Sequence, residues 1–155
     1  MHDIEIRRID EDQAVVVTEL WDRMCREAPD GGPLTARGKR NITRMLQIAS
    51  WHHLTCCLVA TTGSEVIGFV VAGLDAGDGL LPGLAGEIHE LYVVPEAEHR
   101  AELLSELARQ AVDRLRKCGA GTIRKLADAE DQAMIRFWQA EGFEADMTCL
   151  SLYRP

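Results

Sequence analysis

The sequence predicts one mixed α/β domain, a sheet carrying helices on both faces. Three observations support that reading. Segments of period two and period 3.6 succeed one another in the order β-α-α-β-β-β-α-β-α-β. Glycine and proline clusters separate them. The 155 residues, 46% hydrophobic and 27% charged, have the composition of an ordinary soluble domain. A chain of that length buries about two-thirds of its unfolded surface in one core.

Each element has its own signal. Residues 4–9 alternate apolar and polar side chains, as a half-buried strand does. Asp10 or Asp12 can cap the helix that follows, whose inward stripe is Val16, Val17, Leu20, Trp21, Met24 and Cys25. Residues 29–33, Pro-Asp-Gly-Gly-Pro, break the chain. Thr35 is the expected N-cap of a second helix, with Ile42, Met45, Leu46, Ile48 and Ala49 inward. Strands over 54–60 and 65–74 are joined by Thr-Thr-Gly-Ser, a hairpin-like loop. A glycine-rich loop over 75–86 leads to a strand at 87–94. Leu103, Leu104, Leu107, Ala108, Ala111, Val112 and Leu115 then mark the most regular helix, which Gly119 ends. A strand over 122–127 and a helix over 134–143 follow. The tail, Asp146 to Tyr153, alternates as an edge or partner strand does.

Charge and composition exclude several classes. A net charge of −8 argues against nucleic acid, whose binding needs a basic surface. Arg37, Lys39, Arg40 and Arg44 are a local exception, best read as a solvated helix face. No apolar run approaches the ~18 residues of a membrane span, and the start lacks the apolar stretch of a signal peptide, so a cytoplasmic protein is expected. The cysteines, Cys25, Cys56, Cys57, Cys118 and Cys149, form no Cys-x-x-Cys pair. They read as buried reduced thiols rather than metal ligands.

The chemistry concentrates between Gly86 and Phe143. Gly86-Glu-Ile-His-Glu-Leu-Tyr-Val-Val-Pro95 runs into the long helix, and a strand and a short helix ending in Gly142-Phe143 complete the unit. On a regular strand Glu87 and His89 share one face and Glu90 takes the other, unless a bulge shifts the assignment. This order and these residues resemble the GNAT N-acetyltransferase superfamily over essentially the whole chain. The resemblance implies a mostly antiparallel sheet in which two parallel strands splay apart near Val93. It also implies acetyl-coenzyme A (acetyl-CoA) as cosubstrate and a small-molecule or peptide amine as acceptor, with a homodimer left open.

The same resemblance assigns roles. Glu87, or Glu90 through water, falls where a general base would take the proton of the amine. Leu91, Tyr92 and Val93 fall on the strand that holds the thioester, the Val93 amide acting as oxyanion donor. The family's pyrophosphate turn, Arg-x-x-Gly-x-Gly/Ala, maps to His99, Arg100, Ala101, Glu102, Leu103 and Leu104. That window contains no glycine. Its leading basic residue is His99 if Leu103 and Leu107 are core, or Arg100 in the adjacent register. On the last helix Asp131 stands at an Asn position and Trp138 at the place of a proton-donating Tyr. An indole N–H donates hydrogen bonds but does not ionise usefully at neutral pH. Asp75 and Asp78 lie on the loop that borders the family's acceptor site. A silent binding module of the same fold, or a longer or carrier-bound acyl donor, are the alternatives.

Overall fold

A computed structural model describes residues 3–75 and 83–155. Its strands are β1 (Ile4–Arg8), β2 (Thr55–Thr62), β3 (Glu65–Asp75), β4 (Leu84–Val93) and β5 (Ala120–Lys125). Its helices are α1 (Ala14–Glu27), α2 (Ala36–Ala49), α3 (Arg100–Lys117) and α4 (Gln132–Ala140). The sheet order is β1-β2-β3-β4-β5. The first three pairings are antiparallel, and β4 and β5 run parallel. Asp78 lies outside the described residues. No helix among the described residues is long and apolar enough to cross a membrane.

The predicted caps hold α2 and α3. Thr35 Oγ1 accepts from the Gly38 amide at 3.0 Å. Gly119 takes φ +103° after α3, a conformation that suits a residue without a Cβ. Asp10 heads a short 3₁₀ turn, Glu11–Gln13, and α1 begins after it at Ala14. One face of the sheet packs on α1, where Trp21 stacks on Phe69 with ring centroids 5.7 Å apart. The other face receives α3, whose Leu107 reaches Gly68.

Several expectations fail at the edges of this core. Val16 and Ile48 are exposed. The inner face of α1 is set by Ala14, Val17, Thr18 and Asp22 instead. Buried Asp22 accepts from the Leu34 amide at 2.7 Å and pairs with Arg26, pinning the Pro-Gly break against α1. The tail forms no strand, and residues 144–155 are exposed. Alternation makes a strand only where an edge receives it, and none does so here. Cys56 and Cys57 are buried, and burial raises the Cys56 thiol to about 11. Cys118 and Cys149 are exposed and Cys25 is half-buried, against the expectation for all three. Of the basic cluster, Lys39 pairs with Glu19 at 3.2 Å on the surface.

Close packing fixes the end of β4. A Cβ at Gly68 would lie 2.8 Å from Val93 Cγ2 and 2.9 Å from the Tyr92 carbonyl oxygen. Gly68→Ala is therefore expected to lower stability by about 1–3 kcal/mol in urea titration. Gly32→Ala, with nothing within 4 Å of the added Cβ, is the control and should change it by less than about 0.5 kcal/mol.

Candidate active site

The sequence positions of β4 do not translate into faces by simple alternation, because the strand is bulged. Glu90 lies opposite Val71, whereas Ile88, two positions earlier, lies opposite Ala72. His89 is the extra residue. Partners across a ladder share a face, and Val71 and Gly73 are two apart on β3. Glu87, opposite Gly73, therefore shares the α1 face with Glu90. His89 joins them. Its Nδ1 is 4.0 Å from Glu87 Oε1, and its ring lies over Gly73, where a Cβ would sit 3.3 Å from Nε2.

β5 covers only the first half of β4. The parallel pairing ends at Ile88 opposite Lys125, so the strands part there rather than near Val93. Beyond that rung the β4 edge is open among the described strands. The Val94 amide donates to the Ile67 carbonyl at 2.9 Å. Antiparallel alternation then points the amides of Tyr92 and Glu90 at β3 and those of Leu91 and Val93 at the open side.

Two cations reach across this opening. Lys125 Nζ donates to the His89 carbonyl at 2.9 Å. Arg100 Nε donates to the Val93 carbonyl at 2.8 Å. Burial raises the Glu90 carboxyl above its ordinary value, while Lys125 and His89 oppose the rise. Burial likewise lowers Lys125, opposed by the charges of Glu90 and Glu87. Carboxylate and amine thus feel each other's charge where desolvation disfavours both charged forms. The sequence reading did not single out Lys125. A lysine closing a strand is ordinary in sequence, and only the parallel register with Ile88 places it at the opening.

The remaining candidates fall into two groups. His99 is the N-cap of α3, and its carbonyl accepts the Leu103 amide at 3.0 Å. Leu103 and Leu107 are buried and Leu104 packs against them, the core that the His99-first register assumes. Ala101 and Glu102 are exposed on a shallow groove continued by Ser105, Glu106 and Arg109. The amides of Arg100, Ala101 and Glu102, in the first turn, have no intrahelical acceptor. Asp131 caps α4 by accepting from the Met134 amide at 3.1 Å. Trp138 is 4% exposed and packs edge-on to Phe137 and Phe143. The Tyr92 hydroxyl donates to Glu27 at 2.8 Å, under α1, and burial holds it at about 12. A separate cavity of about 90 Å³ lies by the last turns of α3, and no carboxylate lines it.

Comparison with known proteins decides the family. The family model described as the acetyltransferase (GNAT) family matches residues 18–143. This chain belongs to the GNAT acetyltransferase family. Solved structures agree in fold. A putative acetyltransferase from Arthrobacter sp. FB24 is 24% identical, with 97% of this chain and 95% of that one covered at a TM-score of 0.76. An aminoglycoside N-acetyltransferase AAC(6')-Iy in complex with CoA is 15% identical, with 100% and 96% covered and a TM-score of 0.77. Glucosamine-6-phosphate N-acetyltransferase from Arabidopsis thaliana is 16% identical, with 97% and 98% covered and a TM-score of 0.71. No curated protein sequence matches.

In this GNAT chain the turn before α3 carries backbone strain at His99. His99 has φ 53°, the one non-glycine residue with positive φ among the described residues. The left-handed region costs an L-residue about 1–2 kcal/mol. His99→Val is expected to lower stability by at least about 1 kcal/mol, since a β-branched side chain tolerates that region worst. His99→Gly should leave stability equal or higher. Thermal melting of the pair checks the sign.

Proposed function

We propose that this GNAT-family protein moves an acetyl group from acetyl-CoA to a primary amine of a small molecule or peptide. The bulge at His89 carries the reading, because it places Glu87 and Glu90 on one face beside the open edge of β4. A carboxylate there can take the proton of an attacking amine. Glu87 is the direct candidate and Glu90, half-buried, the candidate acting through water. The outward amides of Leu91 and Val93 are suited to an extended thioester arm, and Val93 N–H to its carbonyl oxygen.

Fit to the rest of acetyl-CoA is uneven. The first-turn amides of α3 favour a phosphate, and Arg100 stands beside them. Glu98 and Glu102 oppose one, and a Cβ at every position from 99 to 104 narrows the approach. The residues present suit the arm better than the pyrophosphate. That imbalance is the specific support for the second reading, a GNAT-fold module that binds a ligand without transfer. Calorimetric titration with coenzyme A separates them, micromolar binding arguing against a silent module.

The acceptor follows from charge. Glu87, Glu90 and the net charge of −8 favour a cationic amine over an anionic partner. Amino sugars belong in the substrate panel because two structures of this fold carry such substrates in their names. The reading implies a cytoplasmic enzyme that works as a monomer or homodimer, without nucleic acid.

Thiol release from acetyl-CoA against polyamines, aminoglycosides, amino sugars and peptides tests the proposal. Glu87→Gln is expected to lower kcat by about 10²–10⁴-fold with little change in coenzyme affinity. As a base Glu90 must be ionised, and burial raises its carboxyl, so activity should fall as pH drops through a value higher than that of an ordinary glutamate. Glu90→Gln should abolish that acid limb. An unchanged limb in Glu90→Gln would remove Glu90 from the mechanism.

A further inference from the structure

Acyl transfer from a thioester needs a proton for the departing sulfur as well as a base for the amine. α4 offers none, since its aromatic residues at this end are Phe137 and Trp138, and Trp138 is buried between Phe137 and Phe143. The Tyr92 hydroxyl is committed to the Glu27 carboxylate under α1. Lys125 is placed otherwise. It stands on the last rung before β4 and β5 part, and its Nζ spans the opening to the His89 carbonyl at the bulge. One N–H of the ammonium is thereby committed, and two remain for another acceptor.

We infer that Lys125 is the general acid of the reaction, delivering a proton to the coenzyme A sulfur as the thioester breaks. The inference rests on the acetyltransferase reading above. The amine nitrogen bonds to the thioester carbonyl carbon and gives one proton to a β4 carboxylate. The carbon–sulfur bond breaks, the sulfur keeps the electron pair and takes a proton from Lys125 Nζ. The products are the acetylated amine and the free thiol, with Lys125 neutral and the carboxylate protonated. Return of that proton from the carboxylate to Lys125 through solvent restores both, and Lys125 already feels the charges of Glu90 and Glu87. Burial lowers Lys125 toward the range in which it can both hold and release a proton. The groups that face it are Glu90, His89 and Glu87 on β4, with Cys25 of α1 behind Glu90.

The lysines of the chain are Lys39, Lys117 and Lys125, so their side-chain NMR signals can be assigned by substitution. In the free protein Lys125 is expected to titrate below the ordinary lysine value; titration at that value overturns the inference. The kinetic arm compares wild type with Lys125→Arg and Lys125→Met. Arginine keeps the charge and a donor for the His89 carbonyl but does not release its proton. Both variants should bind coenzyme A within about twofold of wild type by calorimetry and lose about 10²-fold or more in kcat. Wild-type kcat should fall at high pH as Lys125 deprotonates. An active wild type matched by a fully active Lys125→Arg overturns this inference alone, because positive charge then suffices. A wild type that turns over no amine overturns the acetyltransferase reading and this inference with it.

Discussion

His89 has no partner on β3, and the rest of the site depends on that mismatch. With regular pairing, Glu87 would face one side of the sheet and Glu90 the other, and no two acids of β4 could act on one substrate. The extra residue turns both toward α1 and leaves the His89 carbonyl at the strand edge, where Lys125 meets it. Gly73 makes the arrangement possible on β3, because the imidazole occupies the space over it. A bulge next to a strand parting from its neighbour is thus the element from which the proposed acid, base and binding edge all follow.

The packing around the bulge keeps the rest of β4 in place. Gly68 lets Val93 and Leu107 come together, so the strand end and α3 are held against β3 from one side. On the other side Tyr92 is fixed by Glu27, which Arg23 ties to Glu96 after the strand. Arg100 then joins the first turn of α3 to the Val93 carbonyl. The open edge is held rigidly by these contacts at its far end. That is the condition for a backbone amide to act as a preorganised donor.

Much of this was legible in the residues. The alternation of β1, the hairpin of β2 and β3, the break at 29–33, the cap at Thr35 and the glycine after α3 each rest on local chemistry that the fold does not override. Glu87 and Glu90 were legible as candidates, yet their common face was not, because a bulge is decided by the partner strand. Lys125 escaped for the same reason, as its role comes from a register between distant segments. Val16 and Ile48 failed because an apolar residue beside a stripe is not on it. The tail from Asp146 to Tyr153 carries the alternation of a strand, and alternation says nothing about whether an edge is within reach.

The open edge of β4 is the claim on which the functional account stands, and the amides of Leu91 and Val93 report on it directly. Backbone NMR of the protein titrated with acetyl-CoA should move those two amides strongly, while Glu90, Tyr92 and Val94, bonded toward β3, shift little. Saturating acetyl-CoA that leaves the Leu91 and Val93 amides unmoved would contradict the account.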